Sequence, residues 1–271
     1  MNYLQWLSRK TQTKWWHDSA IPFEIDEAIK NGAMGVTTNP VLTYKSLQAV
    51  PDFWQPEVEK IAQDLPLDMR AEELLKIIAQ HAAEKFKPIF TKTNKQQGYA
   101  LGQLNPAICA DSEKMLDQAL RYVSWGENIA VKLPTVKAAL PVIEELASRG
   151  IAVCTTLNFS VSQALAVGKA YMSGVEKAKK NNREVKPCFA VQQGGRLDEY
   201  RRRLTLRVSP DDGRTWPHSL LVHEEPAGYS DLAALPDAGV LCLYERGERN
   251  ACESVACARI PLQSIIRGQT L

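Results

Sequence analysis

At 271 residues the chain is long enough for one α/β barrel or two smaller domains. With 45% hydrophobic residues, 24% charged residues and a net charge of +2, it has material for a sizeable core and no global attraction to nucleic acid or to a membrane surface. No apolar run reaches the ~18 residues that span a bilayer, and the opening MNYLQWLSRKTQTKWW lacks the unbroken apolar run of a signal peptide, so cytoplasm is the expected compartment.

Residues 14–18, KWWHD, form a candidate first strand, followed by a short helix over 24–31 that ends near Gly32. GVTTNP at 35–40 reads as a second strand, β-branched and stopped by Asn-Pro. Residues 55–86 are mostly helical, with a break at Pro66. GYALGQL at 98–104 is the third strand, and Ser112 caps a helix in which Met115, Leu116, Ala119, Leu120 and Val123 recur at helical spacing. NIAVKLP at 128–134 is a fourth strand, apolar enough to be buried on both faces. A helix over 135–148 closes at Gly150 in the C′ position. IAVCTTL at 151–157 is the fifth strand, 160–180 a longer helix and KPCFAVQQGG at 186–195 the sixth strand. Repeated βα order predicts a parallel sheet or barrel.

Near residue 200 the rhythm changes. LTLRV at 204–208 alternates with period two, and SLLVH (219–223), SDLAAL (230–235), VLCLYE (240–245) and VACARIPL (255–262) follow with tight turns and no helix between them. That pattern predicts an antiparallel meander, with the change of organisation between about residues 196 and 203. SPDDGRTWP at 209–217 has the spacing of an Asp-box, the hairpin turn that recurs in propeller enzymes. In it Asp211 and the Gly213 turn brace the hairpin and Trp216 packs beneath, a structural signal rather than a catalytic one.

The six cysteines show no CxxC, and Cys109, Cys154 and Cys188 lie in apolar segments, so they read as buried free thiols. His17, His81, His218 and His223 make no ligand pair at helical spacing. Neither a metal nor a cofactor is expected.

Lys132 stands out because it sits between Val131 and Leu133, near the C-terminal end of a strand expected to be buried. It reads either as a lysine that snorkels past the strand end or as an amine in the chemistry-bearing end of an α/β barrel. A desolvated lysine loses its charge more readily, and the neutral amine attacks carbonyls to form a Schiff base. Polar residues recur at the other strand ends: Asp18 after the first, Asn39 after the second, Gln103 and Asn105 after the third, Thr156 after the fifth. A closed barrel makes such ends converge. Schiff-base carbon–carbon chemistry needs an amine, an acid/base group and donors for substrate hydroxyls.

These stretches resemble the transaldolase family over residues ~14–200: HDS at 17–19, GVTTNP at 35–40, GQLNP at 102–106, NIAVKLP at 128–134 and GIAVCTTLNFSVSQALA at 150–166. The resemblance implies a Schiff-base aldol mechanism on phosphorylated sugars. It implies Lys132 as the Schiff-base lysine and Asp18 as the acid/base. Asn39 and Thr156 then correspond to substrate- and water-positioning residues, Asn105 to a substrate contact, and Arg196 to a nearby basic position. Gln103 stands where longer members carry a Glu that helps activate a catalytic water, and some short aldolases of the superfamily carry Gln there. Cys154 stands where the longer type usually has Asn. Only six strands are countable against the eight of a closed barrel, and the family's main phosphate-binding basic residues follow the sixth.

The tail, residues ~200–267, resembles the C-terminal end of exo-sialidases through RRRLTLRVSPDDGRTWP, AGYSDLAALPDAGV, LCLYERGE and ARIPL. That resemblance implies Tyr229 as a nucleophilic tyrosine, Arg201 as the last arginine of a carboxylate-binding triad and Glu245 as the acid bracing another arginine. A tyrosine nucleophile suits an anionic sugar, and bidentate Arg–carboxylate pairing suits the arginines. The family's other arginines and its acid/base lie upstream, where this chain carries the transaldolase-like stretches. About 70 residues also fall short of a six-bladed propeller.

The expected fold is α/β: an incomplete (β/α) barrel of the TIM type, about six βα units over 1–200, then a short antiparallel β-propeller-like meander over 201–271. The expected function is transaldolase-like transfer of a dihydroxyacetone unit between sugar phosphates, in the manner of the pentose phosphate pathway, impaired by the missing barrel end. The alternatives are a sialidase-type glycoside hydrolase and a catalytically silent chimeric chain. The expected partner is a small-molecule sugar phosphate, with no nucleic acid and no membrane.

Overall fold

The computed structural model describes residues 1–192, 202–210, 215–236, 239–251 and 253–267. The chain divides into two units, residues 1–155 with 167–189, and residues 156–166 with 190–271.

The β segments of the first half follow chain order. His17 pairs in parallel with Val36, and Val36 with Ala100, so the first two expected strands are single bridges. Four full strands continue the series: β1 (Ala100–Gln103), β2 (Ile129–Pro134), β3 (Val153–Asn158) and β4 (Cys188–Gln192), in the order β1-β2-β3-β4. β1 and β2 are parallel, with Ala100 opposite Ile129 and Gln103 opposite Lys132. Helices separate successive segments, so the chain is α/β, with a parallel sheet consistent with part of a TIM-type barrel. Gly35 lies under the Trp16 ring, where a Cβ would sit 2.6 Å from ring atoms.

The helices are α1 (Tyr3–Lys10), α2 (Pro22–Lys30), α3 (Pro40–Ala49), α4 (Pro51–Val58), α5 (Leu67–Lys92), α6 (Ser112–Val123), α7 (Ala139–Ser148) and α8 (Val161–Lys180). Two of them, α1 and α3, add to the expected set. α1 starts in a reciprocal capping box, Asn2 with Gln5. α3 starts at the same Asn-Pro that reads as a strand stop, because Asn39 accepts Leu42 N–H and Pro40 fills the first helical position. The break at Pro66 separates α4 from α5 as expected.

Two helix starts differ from expectation. Asp111, not Ser112, caps α6, accepting the N–H groups of Glu113 and Lys114, while the Ser112 hydroxyl donates to Ala138 O at 2.6 Å. A carboxylate accepts both orphan amides, which frees the hydroxyl to tie α6 to the turn before α7. α7 starts at Ala139 rather than 135, since Val136 N–H bonds back to Pro134 O and turns the chain first. Gly150 does stand at C′ with φ +71, and a Cβ there would lie 2.5 Å from Glu184 O.

The core of this unit runs between the sheet and the helices. Val131, Leu133 and Ile129 of β2 pack in one cluster with Met115, Ala119 and Tyr122 of α6 and Val142, Ile143 and Leu146 of α7. Asn128, 3% exposed, fixes the start of β2 by donating to Ala83 O at 2.7 Å and Gly98 O at 2.8 Å.

In the second unit β5 (Leu204–Val208) pairs antiparallel with β6 (His218–His223), and β7 (Ala227–Ala234), β8 (Gly239–Arg246) and β9 (Ser254–Pro261) form an antiparallel three-stranded sheet. Leu204 and Leu206 are buried while Thr205 and Arg207 are exposed, the expected alternation. A helix, α9 (Leu262–Arg267), follows β9 and buries Ile265 in the cluster of Leu206, Leu220, Cys242 and Ile260. Among the described residues the last element of the tail is therefore a helix, not a strand. A propeller blade is a four-stranded sheet, whereas the described strands divide into two and three. Asp211 and Gly213 of the expected Asp-box lie outside the described residues.

Candidate active site

Lys132 is placed by the pleat of β2. Successive side chains of a strand point to opposite faces. Val131 and Leu133 belong to the cluster shared with the helices, so Lys132 projects to the other face of the sheet. It is 9% exposed. Its carbonyl accepts Leu104 N–H at 2.9 Å. Gln103 stands opposite it in the parallel register, and the two side chains share one face. Among the described residues Lys132 makes no ion pair. Burial pushes the neighbouring Cys154 thiol up to about 12, against the opposing pull of the Lys132 charge. Burial likewise pushes the Cys188 thiol up to about 12. Both thiols stay protonated and unreactive near neutral pH.

Asp18 follows the bridge residue His17 and is exposed. His17 is locked by its backbone, donating to Gly35 O at 2.9 Å and accepting Thr37 N–H at 2.8 Å. Asp18 accepts the Thr37 hydroxyl. Thr38 donates its own hydroxyl to Leu101 O, across to β1. The two threonines of GVTTNP thus have separate tasks: Thr37 orients the carboxylate and Thr38 ties the second β segment to the third. Neither stood out in the sequence, where both read as β-branched strand formers. Burial lowers the His17 imidazole below its usual range, partly offset by Glu24 and Asp18.

Asn39 commits its Oδ1 to the cap of α3, at 2.9 Å from Leu42 N, which leaves its amide Nδ2 for another partner. Asn105 caps the short 3-10 turn Pro106–Ile108, accepting Ala107 N–H at 3.0 Å. It lines a cavity of about 640 Å³ between α3, α5 and α6 that Lys132, Asp18, Asn39 and Gln103 do not line. Thr156 is buried in β3, in the second unit. Arg196 and Arg201 lie outside the described residues. Tyr229 is 39% exposed, and its backbone N–H donates to Glu245 Oε2 at 2.9 Å.

Residues 15–194 match the family Transaldolase/Fructose-6-phosphate aldolase, and they include the buried lysine and every strand-end residue up to Thr156. The chain belongs to the transaldolase family. It is 28% identical to Transaldolase 2 of Nostoc sp. over 172 residues, 62% of this chain and 45% of that protein. It is 27% identical to the transaldolase of Thiobacillus denitrificans over 198 residues, 70% of this chain and 55% of that one. With the transaldolase of Saccharopolyspora erythraea it shares 29% over 160 residues, 58% of this chain and 43% of the relative. The chain spans about half the length of the curated relatives it matches. The family match stops at residue 194, and these relatives are transaldolases. The resemblance of the tail to sialidases gains no support from them.

Among the described residues of this transaldolase-family chain, no helix is long and apolar enough to cross a membrane, and no group of three His, Cys, Asp or Glu is placed to hold a metal ion.

One network ties the end of β1 to the helices. Asn105 N–H donates to Gln118 Oε1 at 2.8 Å, Gln118 Nε2 donates to Glu72 at 3.0 Å, and Arg121 forks onto Glu72 with two bonds of 2.9 Å. Burial raises the Glu72 carboxyl, but the bonds from Arg121 and Gln118 outweigh it and hold the group below its ordinary 4.5. A depressed carboxyl stabilises the fold above its unfolded value and loses that contribution as pH falls through the folded one. Glu72→Gln is expected to cost about 1 kcal/mol near neutral pH, because Arg121 is largely exposed and the pair is screened. The deficit against wild type shrinks as the medium is acidified below about pH 4.5. Paired urea melts across that range measure it, and a deficit that grows with acid contradicts the assignment.

Proposed function

We propose that this chain carries out Schiff-base aldol chemistry on ketoses, with a dihydroxyacetone unit held on Lys132 and passed between sugar phosphates. The observation that carries the reading is the burial of Lys132 at the end of a parallel strand, beside Gln103 and without an ion-pair partner among the described residues. The family's description names an aldolase of fructose 6-phosphate, a sugar phosphate, which supports this substrate class.

In the proposed cycle the Lys132 amine adds to the ketose carbonyl, and loss of water leaves a protonated imine. Asp18 takes the proton from the C4 hydroxyl as the C3–C4 bond breaks and the aldehyde departs. The electron pair stays on the lysine-bound three-carbon unit as an enamine. Attack of the enamine on a second aldehyde, with Asp18 returning its proton, forms the new bond, and water then releases the product. Thr37 holds the Asp18 carboxylate for this task. The free Nδ2 of Asn39 serves substrate hydroxyls and Gln103 positions the water, whereas Asn105 lines another cavity and takes no part in the cycle. Arg196 serves the phosphate. Turnover is impaired relative to the family, because six β segments precede the antiparallel tail among the described residues where a closed barrel has eight.

The test is borohydride reduction in the presence of fructose 6-phosphate or of dihydroxyacetone, read by intact and peptide mass. An adduct on Lys132 with both supports the full reading. An adduct with dihydroxyacetone alone supports the chemistry and removes the phosphate contact. No adduct on a folded sample overturns the aldolase reading and leaves a silent chain.

A further inference from the structure

The cavity that Asn105 lines is built from three helix faces. α3 contributes Pro40, Thr43 and Leu47, spaced three and four residues apart, and α5 and α6 contribute positions with the same periodicity. Its volume of about 640 Å³ lies in the ~300–1,000 Å³ range of small-molecule sites. The Glu72–Arg121 fork spans α5 and α6 and forms one wall. Leu74, Leu75 and Ile108 make an apolar lining, with the buried Tyr122 ring, 1% exposed, beside them.

The charges sort cleanly. The lining holds two cations, and both are committed: Lys114 to Asp111 at 3.1 Å, Arg121 to Glu72 at 2.9 Å. It also holds Asp68 and Asp117, exposed and in no ion pair among the described residues. Besides Glu72, Asp117 lies close enough to Arg121 to raise the guanidinium's pKa, so the lining carries three carboxylates, Asp68, Glu72 and Asp117, against two cations, and its balance is negative. In the α3 wall, Thr43 is 4% exposed and its Oγ1 has no partner among the described residues. Threonine in a helix ordinarily bonds back to the preceding turn, so this hydroxyl is an unmet polar group in the wall.

We propose that this cavity binds a small arylalkylamine: a flat apolar ring between the helices, a ring hydroxyl toward the α3 wall, and a protonated amine at Asp68 and Asp117. The apolar and aromatic lining favours a flat ring, and the carboxylates outside ion pairs favour a cation and disfavour an anion of the same shape. The site is separate from the aldol chemistry, since Lys132, Asp18, Asn39 and Gln103 do not line it and an amine without a carbonyl cannot condense with Lys132.

Tyramine and 4-hydroxyphenylacetate, equal in ring and hydroxyl but opposite in charge, are the probes. Titration calorimetry on the full chain is expected to show tyramine binding at least tenfold tighter than the acid. The double variant Asp68→Asn/Asp117→Asn is expected to weaken tyramine at least fivefold. Ala71→Trp, an exposed lining position on α5, is expected to block it with the melting temperature retained. No tyramine binding, equal binding of the two probes, or unchanged affinity in the variants overturns the proposal.

Discussion

Lys132→Met is expected to abolish the borohydride-dependent adduct and to leave the melting temperature equal to wild type or higher. Methionine keeps the unbranched shape and roughly the length of the lysine stem, so no large cavity opens in β2. It also removes a charge that is 9% exposed and has no ion-pair partner among the described residues, a costly group to bury. What it deletes is the atom proposed to form the imine. Turnover on a ketose donor should fall by about 10³-fold or more, as expected when a covalent nucleophile is removed. Lys132→Arg is the stricter control: it keeps the positive charge but should trap nothing, because the guanidinium stays protonated. A Met variant that still forms the adduct would place the imine on another lysine and sink the assignment.

Gly98→Ala is expected to be the most damaging small substitution in the first unit, at about 3 kcal/mol. Two costs combine. Gly98 has φ +83, which strains any L side chain, and a Cβ would lie 2.3 Å from Phe90 N, 2.7 Å from Phe90 Cα and 2.8 Å from Phe86 O. Those atoms are helix backbone, not the ends of flexible side chains, and the Phe86 and Phe90 rings are 0% and 2% exposed. The residue is also a junction: its N–H donates to Met34 O at 2.7 Å and its carbonyl accepts Asn128 Nδ2 at 2.8 Å. Moving it pulls on α5, the second β segment and β2 together. Gly168, in α8 with nothing within 4 Å of a built Cβ, is the contrast. Gly168→Ala should be neutral or gain up to about 1 kcal/mol. Denaturant melts of the two variants decide it, and a loss below about 1 kcal/mol at Gly98 would mean that α5 yields more easily than its packing implies.

Much of the fold is readable in order and kind. The apolar run IAVKLP becomes a strand buried along its length, and LTLRV becomes β5 with its expected alternation. In both cases side-chain period and burial coincide locally. α3 was hidden because Asn-Pro ends a strand and begins a helix with the same two residues, and which reading wins depends on the packing that follows. The cap of α6 moved by one residue because Asp111 and Ser112 are both good caps, and the choice lay with the distant Ala138 carbonyl that claimed the serine. At the site, the family motifs single out Lys132, Asp18 and Asn39, but not Thr37, whose role exists only through a bond across the first two β segments.

The sequence by itself determined the α/β order, the buried strand that carries Lys132, the change to antiparallel strands in the tail and the membership in the transaldolase family. These rest on periodicity and on motifs, which are local in the chain. Only the tertiary structure decided that Gln103 shares a sheet face with Lys132, that Thr37 bonds to Asp18, and that Asn105 borders a cavity that also holds Asp68 and Asp117. Register and helix packing bring residues together across long separations, and no local pattern records which neighbours they will be.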